Sequence, residues 1–349
     1  MTLSRWIFLL LMVAGCSTTN PYYDPAIPHR GPEGFRNNYG GEMTASFWRW
    51  KWEAWRDGLP RPPANGYRFP MAEPESAWLN ANRSAPSVTW IGHATLLLQV
   101  GGQNILTDPQ LSARASPVQF FGPERRVPPG LSYEQLPRID IVLISHNHYD
   151  HLDKDTVTRL AAQPGGPPHY LVPLGLKSWF HGIGIDSVTE LDWWDRLEIG
   201  GLAIHCVPVQ HWSKRGLTDR NATLWSGWVI EHPGLRVFFT GDTGYSRDFA
   251  DIGRRFGSFD LAAIPIGAYA PRWFMYPQHV DPAEAVRIHQ DLHARYSIGI
   301  HWGTFELTDE SLDEPPRLLQ EELRKLAIPP ERFFVLQHGQ TRRLAGLQP

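Results

Sequence analysis

Apolar and polar positions change character at about residue 87. Beyond it, short apolar runs alternate with breaks rich in Gly, Pro and Asn. "VTWIG" and "TLLLQV", then Gly101-Gly102, then "QNILTDP", read as strands joined by a two-residue hairpin turn. "IDIVLIS" (139–145) is continuously apolar and rich in β-branched residues, which predicts a strand buried on both faces. Further strands are predicted over 169–173, 202–210, 224–231, 236–240, 260–266, 296–301 and 333–339. Helical periodicity appears at 155–162, 247–256, 281–293 and 316–327. The third helix has a clear start: Asp281 as N-cap, Pro282 in the first turn and Glu284 completing a capping box. Two groups of strands with interspersed helices predict an α/β (α+β) domain over 87–349, its two sheets sandwiched between helical layers.

Before residue 87 the pattern differs. Residues 16–45 are dense in Pro, Gly, Asn and Tyr and follow neither a period of 2 nor of 3.6, which predicts a flexible tether. "SFWRWKWEAWRDG" (46–58) places Trp48, Trp52 and Trp55 on one helical face, with Arg49, Lys51, Glu53 and Arg56 elsewhere. Two readings stand: a helix lying against lipid headgroups, or one whose tryptophans pack onto the main domain. A Pro-rich stretch completes this 46–86 segment. At the start, Arg5 precedes an apolar run, Trp6–Val13, too short to cross a bilayer core of roughly 30 Å. Residues 1–15 thus read as a signal peptide. "VAGC" resembles the lipobox of bacterial lipoproteins, which implies cleavage before Cys16 and its acylation. Ser17 in place of Asp implies a lipid anchor in the outer membrane of the cell envelope, facing the periplasm. An ordinary secretory signal is the alternative. The only other cysteine, Cys206, then has no partner, so the fold does not rest on disulfides.

A net charge of -3 gives no general attraction to nucleic acid, so that partner is not expected. The 15 histidines direct attention to metal ligands. In "HNHYDH", His146, His148, Asp150 and His151 fall just after an apolar run. An H-x-H pair on extended backbone presents both imidazoles to one side. Adjacent Asp150 and His151 then face a second point, which suits two metal ions better than one. Further ligands are expected at other strand ends. His211 ends "VPVQHW", Asp242 lies between glycines in "FFTGDTG", and His301 ends "SIGIHWG".

The ordered set H-x-H-x-D-H, then His, Asp and His, resembles the metallo-β-lactamase superfamily. That resemblance implies a four-layer αβ/βα sandwich with two zinc ions at one edge. "SHNHYDHLD", "QHWSKR", "GDTGY", "DLAAIPIGAYAPRWFMYPQHVDPAEAVRIH" and "IHWGTFELTDE" are similar to the family of N-acylphosphatidylethanolamine-hydrolysing phospholipases D. "TWIGHATLLL" and "LTDPQLSARASP" extend the similarity to about residues 87–343. It implies His146, His148 and His211 on one zinc, Asp150, His151 and His301 on the other, and Asp242 bridging them. Iron or manganese stays open. Asp108 and His93 read either as groups orienting the ligands or as hydrogen-bonded turn residues.

The implied reaction is hydrolysis of a membrane phospholipid by hydroxide held between the ions, with Asp150 and Asp242 in the catalytic set. It would yield an N-acylethanolamine and phosphatidic acid. His279 is the candidate acid or headgroup contact, with Gln278 beside it; a histidine that merely packs is the alternative. Lys214 and Arg215 read as phosphate contacts or as solvated loop residues. Tyr149 belongs to the similar stretch around the ligands. Tyr269, Trp273, Phe274, Met275 and Tyr276 form an apolar loop suited to acyl chains or a membrane surface, unless they face the core. The same ligands could serve a small ester, lactone or cyclic phosphodiester, or a metal-bearing lipoprotein that binds lipid without turnover. Monomer and homodimer both remain open.

Overall fold

The computed structural model describes residues 20–40, 46–60 and 62–344. The apolar run Trp6–Val13, the lipobox and Cys16 lie outside the described residues. Two helices come first, α1 (Phe47–Asp57) and α2 (Ser76–Ala81). The first sheet takes β1 (Ser87–Gly92), β2 (Thr95–Val100), β3 (Gln103–Thr107), β4 (Ile141–Leu143), β5 (His169–Pro173) and β6 (Val188–Leu191) in chain order. The C-terminal β14 (Thr341–Arg343) closes that sheet beside β1, antiparallel. The second sheet runs in space from β7 (Arg196–Ile199) through β8 (Leu202–Val207), β9 (Gly227–His232), β10 (Leu235–Phe239), β11 (Phe259–Pro265) and β12 (Ala294–Ile300) to β13 (Phe333–Phe334). The remaining helices are α3 (Lys154–Ala161), α4 (Lys177–Gly182), α5 (Asp248–Phe256), α6 (Arg272–Met275), α7 (Pro282–Asp291) and α8 (Glu314–Lys325).

The central strands are mostly apolar because each sheet is covered on both faces. Leu96 and Leu98 of β2 enter the core between the sheets, where they join Ile204, Trp228, Ile230 and Phe238. Leu97, one residue along, points the other way into a second core with Leu79, Val157, Leu160 and Phe180 from α2, α3 and α4. On the far side α7 lies against β11 and β12, with α5 and α8 beside it. The result is the expected four-layer αβ/βα sandwich. The capping box of α7 is also present: Asp281 accepts from the Glu284 amide, and Glu284 reaches back to the Asp281 amide.

Three expectations are corrected. Over the described residues 20–40 the chain is docked on the sandwich, where a flexible tether was expected. Phe35 is buried in the main core, and His29 and Arg30 pair with Asp192 at 2.7 and 2.5 Å. Asn38 donates to Asp248 and the Tyr39 hydroxyl to Asp251. The segment lacks periodicity because polar contacts and the aromatics Tyr22 and Phe35 hold it, with no apolar stripe. The boundary at 87 is corrected with it, since Phe35 and Leu79 belong to the two cores. Residues 333–339, expected as one strand, pair only at Phe333–Phe334. Cys206 is free and buried.

In α1, Trp48, Trp52 and Trp55 face outward, at 80%, 53% and 79% exposure. They do not pack onto the main domain. Trp50, on the opposite face, stacks on Phe274 and donates its indole N–H to Asp309. Among the described residues, no helix is long and apolar enough to cross a membrane.

Candidate metal centre

Strand direction brings the ligands to one edge. β8 and β10 both run antiparallel to β9, and β10, β11 and β12 run parallel, so β8, β10 and β12 end on the same side. His211 follows β8, Asp242 follows β10 and His301 follows β12 directly. The loop after β4 in the other sheet brings His146, His148, Asp150 and His151 to them.

Two groups form around Asp242. In the first, His148 Nδ1 lies 2.8 Å from His146 Nε2 and 3.3 Å from His211 Nε2. In the second, Asp150 Oδ2 lies 3.3 Å from His151 Nε2 and 3.4 Å from His301 Nε2. Asp242 lies between them: Oδ2 is 3.1 Å from His151 Nε2 and 3.8 Å from His211 Nε2, and Oδ1 is 3.1 Å from His301 Nε2. Ligands about 2.0–2.1 Å from a tetrahedral ion sit about 3.3 Å apart, close to several of these separations. His151 Nε2, His301 Nε2 and Asp242 Oδ1 are buried and make no hydrogen bond despite their proximity. Converging, buried and unpaired donors of this kind fit a bound cation.

Charge supports the same conclusion. Burial pushes the imidazoles of His146, His148 and His211 down, that of His148 to about 4, so these ligands are neutral and ready to donate lone pairs. Burial opposes charge on His151 and His301 too, but Asp242 and Asp150 outweigh it. His301 is pushed up to about 9 and His151 well above its ordinary value. Burial also disfavours the Asp150 and Asp242 carboxylates, yet the neighbouring histidines hold both well below the usual range. Protons on the second group thus neutralise carboxylates that a cation would otherwise neutralise, and metal binding would release them.

Contacts behind the ligands fix their orientation. Asp108, fully buried, approaches His151 Nδ1 at 2.7 Å and accepts from the Ser145 amide and hydroxyl. The Ser145 hydroxyl also lies 2.9 Å from His146 Nδ1. His93 Nε2 is 3.0 Å from Asp150 Oδ2. The Gln278 carbonyl lies 3.0 Å from His211 Nδ1. Each contact pins a ligand ring or carboxylate in one orientation. His93, Asp108 and His301 hold φ of 53°, 33° and 61°, a left-handed backbone that costs about 1–3 kcal/mol per residue and is held by the surrounding packing. Gly241 (φ 65°) packs directly on Ser145, where a side chain has no room.

The expected substrate contacts fare unevenly. His279 reaches the centre, with Nδ1 unpaired and 3.8 Å from Asp242 Oδ2. The Gln278 side chain is buried against Met275, so this residue serves the site through its carbonyl. Arg215 is corrected: its guanidinium lies over the Tyr149 and Trp179 rings and donates to the carbonyls of Asn147 and Leu152. Tyr149 donates its hydroxyl to the Arg215 carbonyl. Both brace the ligand loop, because a planar cation stacks well between aromatic faces. Lys214 is held through its amide by Asn147 Oδ1. In the aromatic loop, Phe274 and Met275 are buried against Trp50, Trp273 carries Arg49 on its face, and Tyr269 bonds Glu314. Tyr276 alone of these five is exposed. Sequence reasoning missed Ser145, the Gln278 carbonyl and Asn37, which bonds the His211 backbone. Adjacency to a ligand could have flagged Ser145; nothing local flags Asn37.

Residues 103–302 match the beta-lactamase superfamily domain. The chain is 47% identical over 244 residues to a Caenorhabditis elegans protein named N-acyl-phosphatidylethanolamine-hydrolyzing phospholipase D 1, covering 67% of this chain and 68% of that one. It is 28% identical over 257 residues to a metal-dependent hydrolase of Methanopyrus kandleri, covering 73% of this chain and 98% of that one. A solved structure described as a possible metal-dependent hydrolase from Veillonella parvula shares the fold, with a TM-score of 0.58 at 19% identity over 74% of this chain and 99% of that one. Fold, ligand geometry and these similarities agree: the chain belongs to the metallo-β-lactamase superfamily and is a metal-dependent hydrolase of that fold.

Proposed function

We propose that the protein is a dizinc phosphodiesterase that hydrolyses N-acylphosphatidylethanolamine to an N-acylethanolamine and phosphatidic acid. The observation that carries this reading is the pair of ligand groups sharing Asp242, in a chain 47% identical to a protein named for that hydrolysis. His146, His148 and His211 would hold one ion, Asp150, His151 and His301 the other, and Asp242 both. Zinc ions, when bound, polarise phosphoryl oxygens and make water nucleophilic near neutral pH. In the overall reaction one water adds to phosphorus, the phosphorus–oxygen bond on the ethanolamine side breaks, and the leaving oxygen gains a proton. His279 faces the centre for that last step. Burial pushes its imidazole down to about 4, so at neutral pH it offers a hydrogen bond from a neutral ring. Asp108 and His93 keep His151 and Asp150 in place throughout.

Support for a lipid substrate comes from exposed apolar side chains on segments that adjoin the ligands. Phe120, 85% exposed, lies on the loop that leaves Asp108 and returns beside Thr304. Leu217 follows the Arg215 brace, and α1 docks through Trp50 on Phe274, shortly before His279. Such groups, with Arg and Lys among the tryptophans of α1, suit a headgroup interface. We place the protein in the cell envelope, anchored through Cys16 in the outer membrane and facing the periplasm.

The test is to incubate zinc-loaded protein with N-acylphosphatidylethanolamine vesicles in oxygen-18 water and analyse the products by mass spectrometry. Phosphatidic acid carrying one heavy oxygen is expected. Free fatty acid, or no phosphatidic acid, refutes the phospholipase D reading. Metal analysis of the active protein decides between zinc and iron or manganese.

A further inference from the structure

The docked segment 20–40 crosses the edge of the second sheet next to a metal ligand. It is fixed to Asp192 through His29 and Arg30 at one end, and to Asp248 and Asp251 through Asn38 and Tyr39 at the other. Between these anchors the Phe35 amide donates to the Asn221 carbonyl and its ring enters the core. Asn37 therefore arrives at the end of β8 on a strap held at both sides.

There the Asn37 carboxamide grips the backbone of His211 from both directions. Nδ2 donates to the His211 carbonyl at 2.9 Å, and Oδ1 accepts from the His211 amide at 3.0 Å. Oδ1 also accepts from the Trp225 indole N–H at 2.9 Å. Two donors face Oδ1 and one acceptor faces Nδ2, so only this orientation of the amide satisfies all three bonds. No other side chain of this length offers a donor and an acceptor in that plane: aspartate lacks the donor and serine the span. The His211 ring is fixed separately, through Nδ1 and the Gln278 carbonyl. Backbone and ring are thus held by two different parts of the chain.

From this we infer that Asn37, carried to the site on the strap, is a positioning residue for the metal centre. It sets the direction of the His211 backbone, and through it the place of Nε2 in the His146–His148–His211 group. Asn37 and His211 also line one groove of about 520 Å³, together with Trp212, Arg220 and Pro277. Loss of the clamp would leave the His211 backbone without the two Asn37 bonds at the wall of that groove.

The inference rests on the metal centre and not on the lipid substrate, so metal affinity decides it whatever the enzyme hydrolyses. Zinc affinity is measured by chelator competition for the wild type, N37A, N37D and N38A, with thermal unfolding of the metal-free proteins alongside. N38A removes an anchor on the same strap without touching His211. N37A is expected to weaken one of the two zinc sites by about 10–100-fold and to speed hydrogen exchange at the His211 amide in the metal-free protein. N37D keeps the accepted bonds and loses the donated one, so it falls between wild type and N37A. N38A is expected to bind zinc as the wild type does. Wild-type affinity at both sites of N37A, or equal weakening in N37A and N38A, overturns the inference. Should N37A not fold, N37D against N38A decides on the same criterion.

Discussion

The two ligand groups on either side of Asp242 share a buried edge yet differ in charge. His146, His148 and His211 are all imidazoles, and burial keeps them neutral. His151 and His301 lie among carboxylates, which overcome burial and favour the protonated rings. His289, away from the centre and bonded to Ser297, serves as a reference: burial, aided by the Arg332 charge, pushes its imidazole down to about 4. The first group behaves like that reference histidine. The second departs from it because Asp242 and Asp150 face both rings and Asp108 also bonds His151. An ion in the first group would therefore be held by three neutral imidazoles with Asp242 as its one carboxylate, whereas one in the second would have two, Asp150 and Asp242.

Removing the shared carboxylate should have the largest effect, because it takes one carboxylate from each group. Asp242→Ala is expected to cost several kcal/mol of transition-state stabilisation, about a thousand-fold in kcat, with metal content falling at both positions. Activity within tenfold of wild type would show that the groups work independently. Next in size are variants of one group each. His211→Ala and His301→Asn, the latter chosen because asparagine tolerates a left-handed backbone, should each lower bound metal from about two ions per chain to about one. Loss of both ions from either variant would mean that the groups form a single unit. Asp108→Asn acts one contact further out. It should weaken the second site about 10–100-fold in metal affinity, read by chelator competition, and leave the first within a few-fold.

The reference histidine supplies the smallest effect. The folded-state value for His289 of about 4 lies below the unfolded 6.5, so between them the unfolded chain binds more protons. Its contribution is fully present above pH 6.5 and is lost as pH falls toward 4, a change of about 3 kcal/mol at most. His289→Gln should flatten the unfolding free energy of the metal-free protein over that window. An unchanged slope would remove His289 as the measure of burial.

Much of this centre was legible in the sequence. His146, His148, Asp150, His151, His211, Asp242 and His301 stand at strand ends, and strand ends can be read from where apolar runs stop. The outer strands were not legible. In β6 and β7, Thr189, Glu190, Arg196 and Glu198 interrupt the apolar signal, as charged residues on lateral strands do. Arg215 looked like a phosphate contact because a loop arginine carries no sign that two aromatic rings await it. Asn37 looked like part of a tether because its partners, His211 and Trp225, lie far along the chain.

The sequence by itself determined the four-layer class and the identity of the ligands, since periodicity and residue chemistry are local properties. Only the tertiary structure decided which groups orient those ligands from behind, which way the tryptophans of α1 face, and that residues 20–40 dock beside His211. Each of those depends on which distant surface a segment meets, and nothing in a short stretch of residues encodes its partner.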